Sequence, residues 1–235
     1  MVPTVINIEG CATISTVAER ATLLVGVFDS GYDKDSVSKN VVNTVNSLQA
    51  ELDLLCPRLE NGDISPEAPV SFFSISSLTT SSREERAEDD QGRLARRTGK
   101  DIYTTNTNLD IRFRDFGKLG QMVVQLSSTP LVQVKGVTWK LTEEKRTALQ
   151  DQVRMDALRR AIQRAQSYAQ IIGRSNTVTP VKIQDHPESQ PTGRAKQRVR
   201  MQMAASPALS LGGGIDFEPQ LIEVSAKLDV EFHAE

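Results

Sequence analysis

The stretch DALRRAIQRAQSYAQIIG, Asp156 to Gly173, decides the fold. Leu158, Ala161, Ile162, Ala165, Ala169 and Ile172 recur at three- and four-residue steps, which predicts a helix with one apolar stripe. Ala157 and Tyr168 flank that stripe. Most of the stripe is alanine, a thin face for so regular a helix. Small side chains let a helix axis approach its neighbour closely. Two neighbours fit: a sheet of the same chain or, for part of the stripe, another subunit. Thr142 is placed to cap the start of this helix and Gly173 its end.

On the N-terminal side of this helix, LVQVKGVTWKL reads as a strand whose alternation slips at Gly136, the mark of a β-bulge. Before it, Asp115 can cap a short helix carrying Phe116, Leu119, Val123 and Leu126, closed by Pro130. Earlier still, Tyr103, Leu109, Ile111 and Phe113 share one face of a strand, with Asp110, Arg112 and Arg114 on the other. Val37, Val41, Val45, Leu48, Leu52 and Leu55 predict a second long helix, capped by Asp33 or Asp35 and stopped by Pro57. VSFFSISSL, from Val70, reads as a strand. So do Thr4 to Ile8 and Ala21 to Phe28, with a turn expected at Gly10 between them. Val181 and Ile183 mark a short strand beyond the alanine helix. The last segment, LIEVSAKLDVEFH, puts Ile222, Val224, Ala226, Leu228, Val230 and Phe232 on one face, as a half-buried strand does.

The expected architecture is α+β: a mainly antiparallel sheet with two long helices and one short helix packed on one side. A single domain over residues 1–235 is expected. It would carry an exposed charged insertion at about 82–101 and a flexible loop at about 186–214.

Composition excludes several classes. Of the 235 residues, 38% are hydrophobic and 25% charged, the ordinary globular range, and the net charge of −2 gives no overall bias toward nucleic acid or anionic membrane. No run approaches the roughly 18 apolar residues of a membrane span. The N-terminus MVPTVINIEGC lacks a basic n-region, which predicts a cytoplasmic protein. Cys11 and Cys56 are expected as reduced thiols, although a disulfide between them is open in principle.

Candidate chemistry is sparse. His186 and His233 are the only histidines and are expected to be solvated. Ser36 to Lys39, SVSK, spells the S-x-x-K of serine acyl-transfer enzymes, but no S-D-N or K-T-G string follows, so Ser36 and Ser38 are assigned to the helix N-terminus. Gly212 to Gly214 lead toward a strand past Pro219, where a phosphate loop would feed a helix. Asp89 and Asp90 lack further ligands for a metal. Cys11 has no charged sequence neighbour to activate it. Arg194, Lys196, Arg198 and Arg200 alternate along GRAKQRVR and are the candidate interaction residues, for phosphates, RNA or an acidic protein. No aromatic residue is interleaved to stack bases, so nucleic acid is not the expected partner.

Taken in order, TNLDIRFRDFGKLG, VKGVTWKLTEE, ALRRAIQRAQSYAQIIG and PQLIEVSAKLDVEF resemble the SIMPL-domain family, once a domain of unknown function. INIEG…ATISTVAERATLLVGV is similar to its opening pair of strands, with Ala18 and Glu19 where many members carry Pro-Asp. FSISSLTT is similar to its strand after the first helix. The resemblance implies relatives in periplasmic oxidative-stress defence, a periplasmic immunogenic protein that assembles into a ring, and an animal signalling adaptor associated with a pelle-like kinase. It implies no catalytic residues. The expected function is therefore a non-catalytic interaction and assembly protein, oligomeric, acting in stress response or signalling, with no cofactor. Itself and other proteins are the expected partners. Two alternatives stand: an undescribed enzyme with a carboxylate- or serine-based site at residues such as Ser36 or Asp110, and an RNA-associated protein using the Arg194 to Arg200 run.

Overall fold

A computed structural model describes residues 3–88, 94–174, 177–186 and 217–234. The element order is β1 (Thr4–Val17), β2 (Arg20–Gly31), α1 (Lys34–Leu55), β3 (Val70–Ile75), β4 (Thr79–Glu88), β5 (Leu94–Phe113), α2 (Phe116–Ser128), β6 (Val132–Lys140), α3 (Glu143–Ile171), β7 (Val178–His186) and β8 (Leu221–Ala234). The architecture is α+β and every strand pairing is antiparallel.

The strands make two sheets where the sequence suggested one, and the chain divides into two compact units. β1 and β2 are consecutive, yet they pair with different strands. In the first unit, β8 lies between β1 and β7, and α3 packs on β1 and β8. The alternation read in β8 holds: Val224, Leu228, Val230 and Phe232 are buried against α3's Leu149, Val153, Ala157, Ala161, Ala165 and Ala169. All four of those alanines are fully buried, so the alanine part of the stripe is taken up by the chain's own sheet, while Ile172, read as its last member, is exposed beyond it.

Gly10 explains why the stripe is thin. It is no turn but the middle of β1, opposite Leu228. A Cβ built there would lie 2.5 Å from the Ala157 carbonyl oxygen and 2.9 Å from Ala161 Cβ. Strand and helix backbones therefore touch, which only a glycine facing alanines permits.

Thr142 caps α3, its side chain accepting from Lys145 N–H. Gly173 closes the helix at φ +72°, donating to Gln170 O while Arg174 donates to Ala169 O, a Schellman arrangement. Because an L side chain pays to adopt that φ, Gly173→Ala is expected to cost about 1 kcal/mol in urea unfolding. A neutral result would show that the cap relaxes.

In the second unit, β3, β5, β2 and β6 follow one another across the sheet, with β4 also paired to β5. One face buries Ala21, Leu23, Val25, Val27, Leu109, Ile111 and Phe113 against α1 and α2. Asp33 caps α1 and Asp115 caps α2, each by accepting a backbone N–H. Phe116 of α2 meets Trp139 of β6 edge to face at 5.0 Å. The register slips between Leu24, opposite Gly136, and Val25, opposite Val134, so the bulge sits where the alternation failed.

Of the charged segment at 82–101, residues 82–88 and 94–101 are drawn into the ladder. β5 pairs with β2 only over Tyr103–Phe113, while its earlier residues pair with β4 alone. At the base of this hairpin Tyr32 Oη donates to Glu85, and Lys100 lies over the Tyr32 ring. The Glu85 carboxylate raises the Tyr32 pKa by that hydrogen bond first and by its charge second.

Candidate interaction surfaces

Arg194, Lys196, Arg198 and Arg200 lie outside the described residues, as do Asp89, Asp90 and Gly212 to Gly214. The remaining candidates do not converge. Ser36 is exposed in the first turn of α1. Ser38, expected to serve the helix N-terminus, instead shares a hydrogen bond with Thr105 of β5 at 3.3 Å, and Thr105 also meets Thr80 at 3.0 Å. Asp110 stands on the face of its sheet away from α1 and α2, opposite Leu24 and Ser74. Cys11 is exposed and Cys56 buried, both as free thiols. Burial pushes the Cys56 thiol pKa up most; Arg58 and Arg114 oppose that and Asp53 adds to it.

The outer face of the β1–β8–β7 sheet is polar and laced across strands. Lys227 bridges to Glu9 at 2.7 Å, and this hydrogen bond is the first cause of its raised pKa. His186 ends β7 and meets Asp229 at 2.6 Å, so it is paired across the ladder; His233 lies 3.8 Å from Glu231. Cys11 stands opposite Lys227, a cation that the sequence around Cys11 does not reveal. A shallow depression of about 320 Å³ opens among Asn7, Glu9, Lys182, Gln184, Asp229 and Glu231. A second, of about 300 Å³, lies on the other sheet among Gly26, Phe28, Thr104, Asn106, Gln133 and Lys135. Neither contains Ser36 or Asp110. Among the described residues no three His, Cys, Asp or Glu side chains gather as a metal site, and no helix is long and apolar enough to cross a membrane.

Among the described residues the first unit also has two open sheet edges, β1 and β7, and they differ. β1 contains one charged residue, Glu9, and no proline. Two arginines of α3 reach its backbone: Arg164 donates to Glu9 O at 2.9 Å and Arg160 to Cys11 O at 3.3 Å. They occupy carbonyls that another strand would otherwise use. β7 carries Pro180, Lys182 and Asp185 and a register shift between Pro180 and Lys182. Such features also discourage strand addition.

Apolar side chains remain exposed on both α3 and β7. The end of α3 exposes Tyr168, Ile171 (81% accessible) and Ile172, and β7 exposes Val181 and Ile183 (52%). Arg154 of α3 is tied to Asp185 of β7 at 3.2 Å. No curated protein matches the chain. A family model does match, along residues 6–232, and with that span the chain belongs to the SIMPL family, described as protein of unknown function (DUF541).

Proposed function

We propose that this chain is a non-catalytic interaction protein that assembles with copies of itself. The observation that carries the reading is the apolar set at Ile171, Ile172, Val181 and Ile183, close together in the chain and left bare by α3 and β7. Clustered exposed apolar surface marks contact sites more often than isolated residues do. Because the alanine stripe is consumed internally, contact between subunits falls to the helix end and the β7 face. A setting in stress response or signalling rests on the family resemblance of the motifs.

Size-exclusion chromatography with light scattering tests the reading. The expected mass is a multiple of 25.9 kDa. Ile171→Glu combined with Ile183→Glu should return it to the monomer, since a buried unpaired charge is costly. A wild-type chain that stays monomeric up to about 1 mM, roughly the range of weak contacts, would end the proposal. So would a double variant that assembles like wild type.

A further inference from the structure

One end of the β3–β5–β2–β6 sheet gathers cations on a single face. Ala21, Phe113 and Trp139 stand in one row and point toward α1 and α2. Their even-numbered neighbours therefore point to the opposite face. There Arg20 of β2 is directly opposite Lys140 of β6, and Thr22 lies between Arg112 of β5 and Thr138 of β6. Arg114 follows Arg112 by two residues. Four cations and two hydroxyls from three strands thus occupy two adjacent rows, about 5 Å apart between directly opposed side chains.

The cluster is also held in place. Arg114 Nη1 donates to the carbonyls of Ser65 at 2.8 Å and Pro66 at 2.7 Å. The Arg112 guanidinium lies 5.4 Å from the centre of the Phe72 ring. Burial and then the charge of Arg114 lower the Arg20 pKa; Glu19 opposes and Arg112 adds to the lowering. The arginines thus feel one another. Thr22 Oγ1 and Arg114 Nε are buried without a hydrogen-bond partner. Among the described residues no carboxylate forms an ion pair with Arg112, Arg114 or Lys140. Asp110 precedes Arg112 on the same face, about 7 Å along the strand.

We propose that Arg20, Thr22, Arg112, Arg114 and Lys140 form a binding site for a phosphate group, of the kind carried by a phosphomonoester. A carboxylate has one charge and two oxygens, which one guanidinium satisfies. A dianion with several oxygens suits donors converging from three strands. A nucleic-acid strand would want cations in a line interleaved with several rings to stack; here they form a block, and Phe72 beside it carries the Arg112 guanidinium on its ring.

The test is calorimetric titration of the full chain with inorganic phosphate, against sodium chloride at matched ionic strength. Phosphate should bind saturably, and Arg112→Gln and Lys140→Gln should each weaken it about tenfold or more, the scale of a charge-assisted hydrogen bond. Both side chains are exposed, so folding is not at stake. Lys135→Gln, a cation of β6 outside the cluster, should leave binding unchanged. Vesicles containing phosphatidic acid locate the source: co-sedimentation that needs Arg112 assigns a lipid headgroup, and phosphate binding without it assigns a soluble phosphomonoester. Binding no stronger than chloride, or equal loss in all three variants, overturns the proposal.

Discussion

Ala161→Leu is expected to destabilise the protein by about 3 kcal/mol, the upper end of the cost of overpacking. Ala161 is fully buried, and its Cβ already lies against Gly10, where strand and helix backbones meet. The added carbons have no void to enter, and the nearest obstacle is main chain, which cannot swing aside. Gly10→Ala should cost about 2 kcal/mol on the same ground, because its new methyl would stand 2.5 Å from the Ala157 carbonyl oxygen. The two sites are in contact, so their effects should not add. Ala161→Gly placed on Gly10→Ala should recover part of the loss, since it removes one of the two clashes and leaves the carbonyl. Urea unfolding followed by circular dichroism reads all of these. Ala161→Leu at wild-type stability would mean that α3 stands off the sheet.

Phe232→Ala is expected to cost about 3–5 kcal/mol, as truncation of a buried phenylalanine does. Phe232 is fully buried in β8, the central strand of its sheet, opposite Ile6 of β1 and Pro180 of β7. The neighbours that would have to close the hole belong to paired strands and a packed helix, so the cavity persists. Phe72→Ala is the contrast. That ring is 44% accessible and carries only the Arg112 guanidinium. Its loss should stay within about 0.5 kcal/mol, the range of surface changes. Equal losses at the two positions would contradict the burial on which the fold rests.

Wherever local chemistry and periodicity agree, the sequence is legible. Asp33, Asp115 and Thr142 each cap the helix that follows, and Gly136 marks its bulge, because caps and phase slips are short-range features. Gly10 misled because a glycine at a turn and one under a helix look alike until the helix is in place. Segment 82–101 hid its strands for a different reason. A two-stranded ribbon whose described side chains at Ser82 to Glu84 and Lys100 to Asp101 are exposed on both faces needs no apolar alternation, so the period of two is absent. The separation into two sheets is hidden as well, since β1 and β2 look like a hairpin and pair elsewhere. The cation cluster was half visible. Arg112 and Arg114 were readable on an outward face, but Arg20 and Lys140 join them only through a register spanning 120 residues of chain.

The place of β8 between β1 and β7 sets an order of events during synthesis. β1 leaves the ribosome well before its partner, since the strand that pairs along its whole length begins at Leu221. At about 5–20 residues per second, β1 waits roughly 10–40 s for its partner. Everything needed for the α1–α2 core through Lys140 has been made by then. The nascent chain therefore carries an unpaired, nearly uncharged ribbon while roughly 200 further residues are added at that rate. Pausing before Leu221 would lengthen that exposure and should raise the yield of aggregated or chaperone-bound chains.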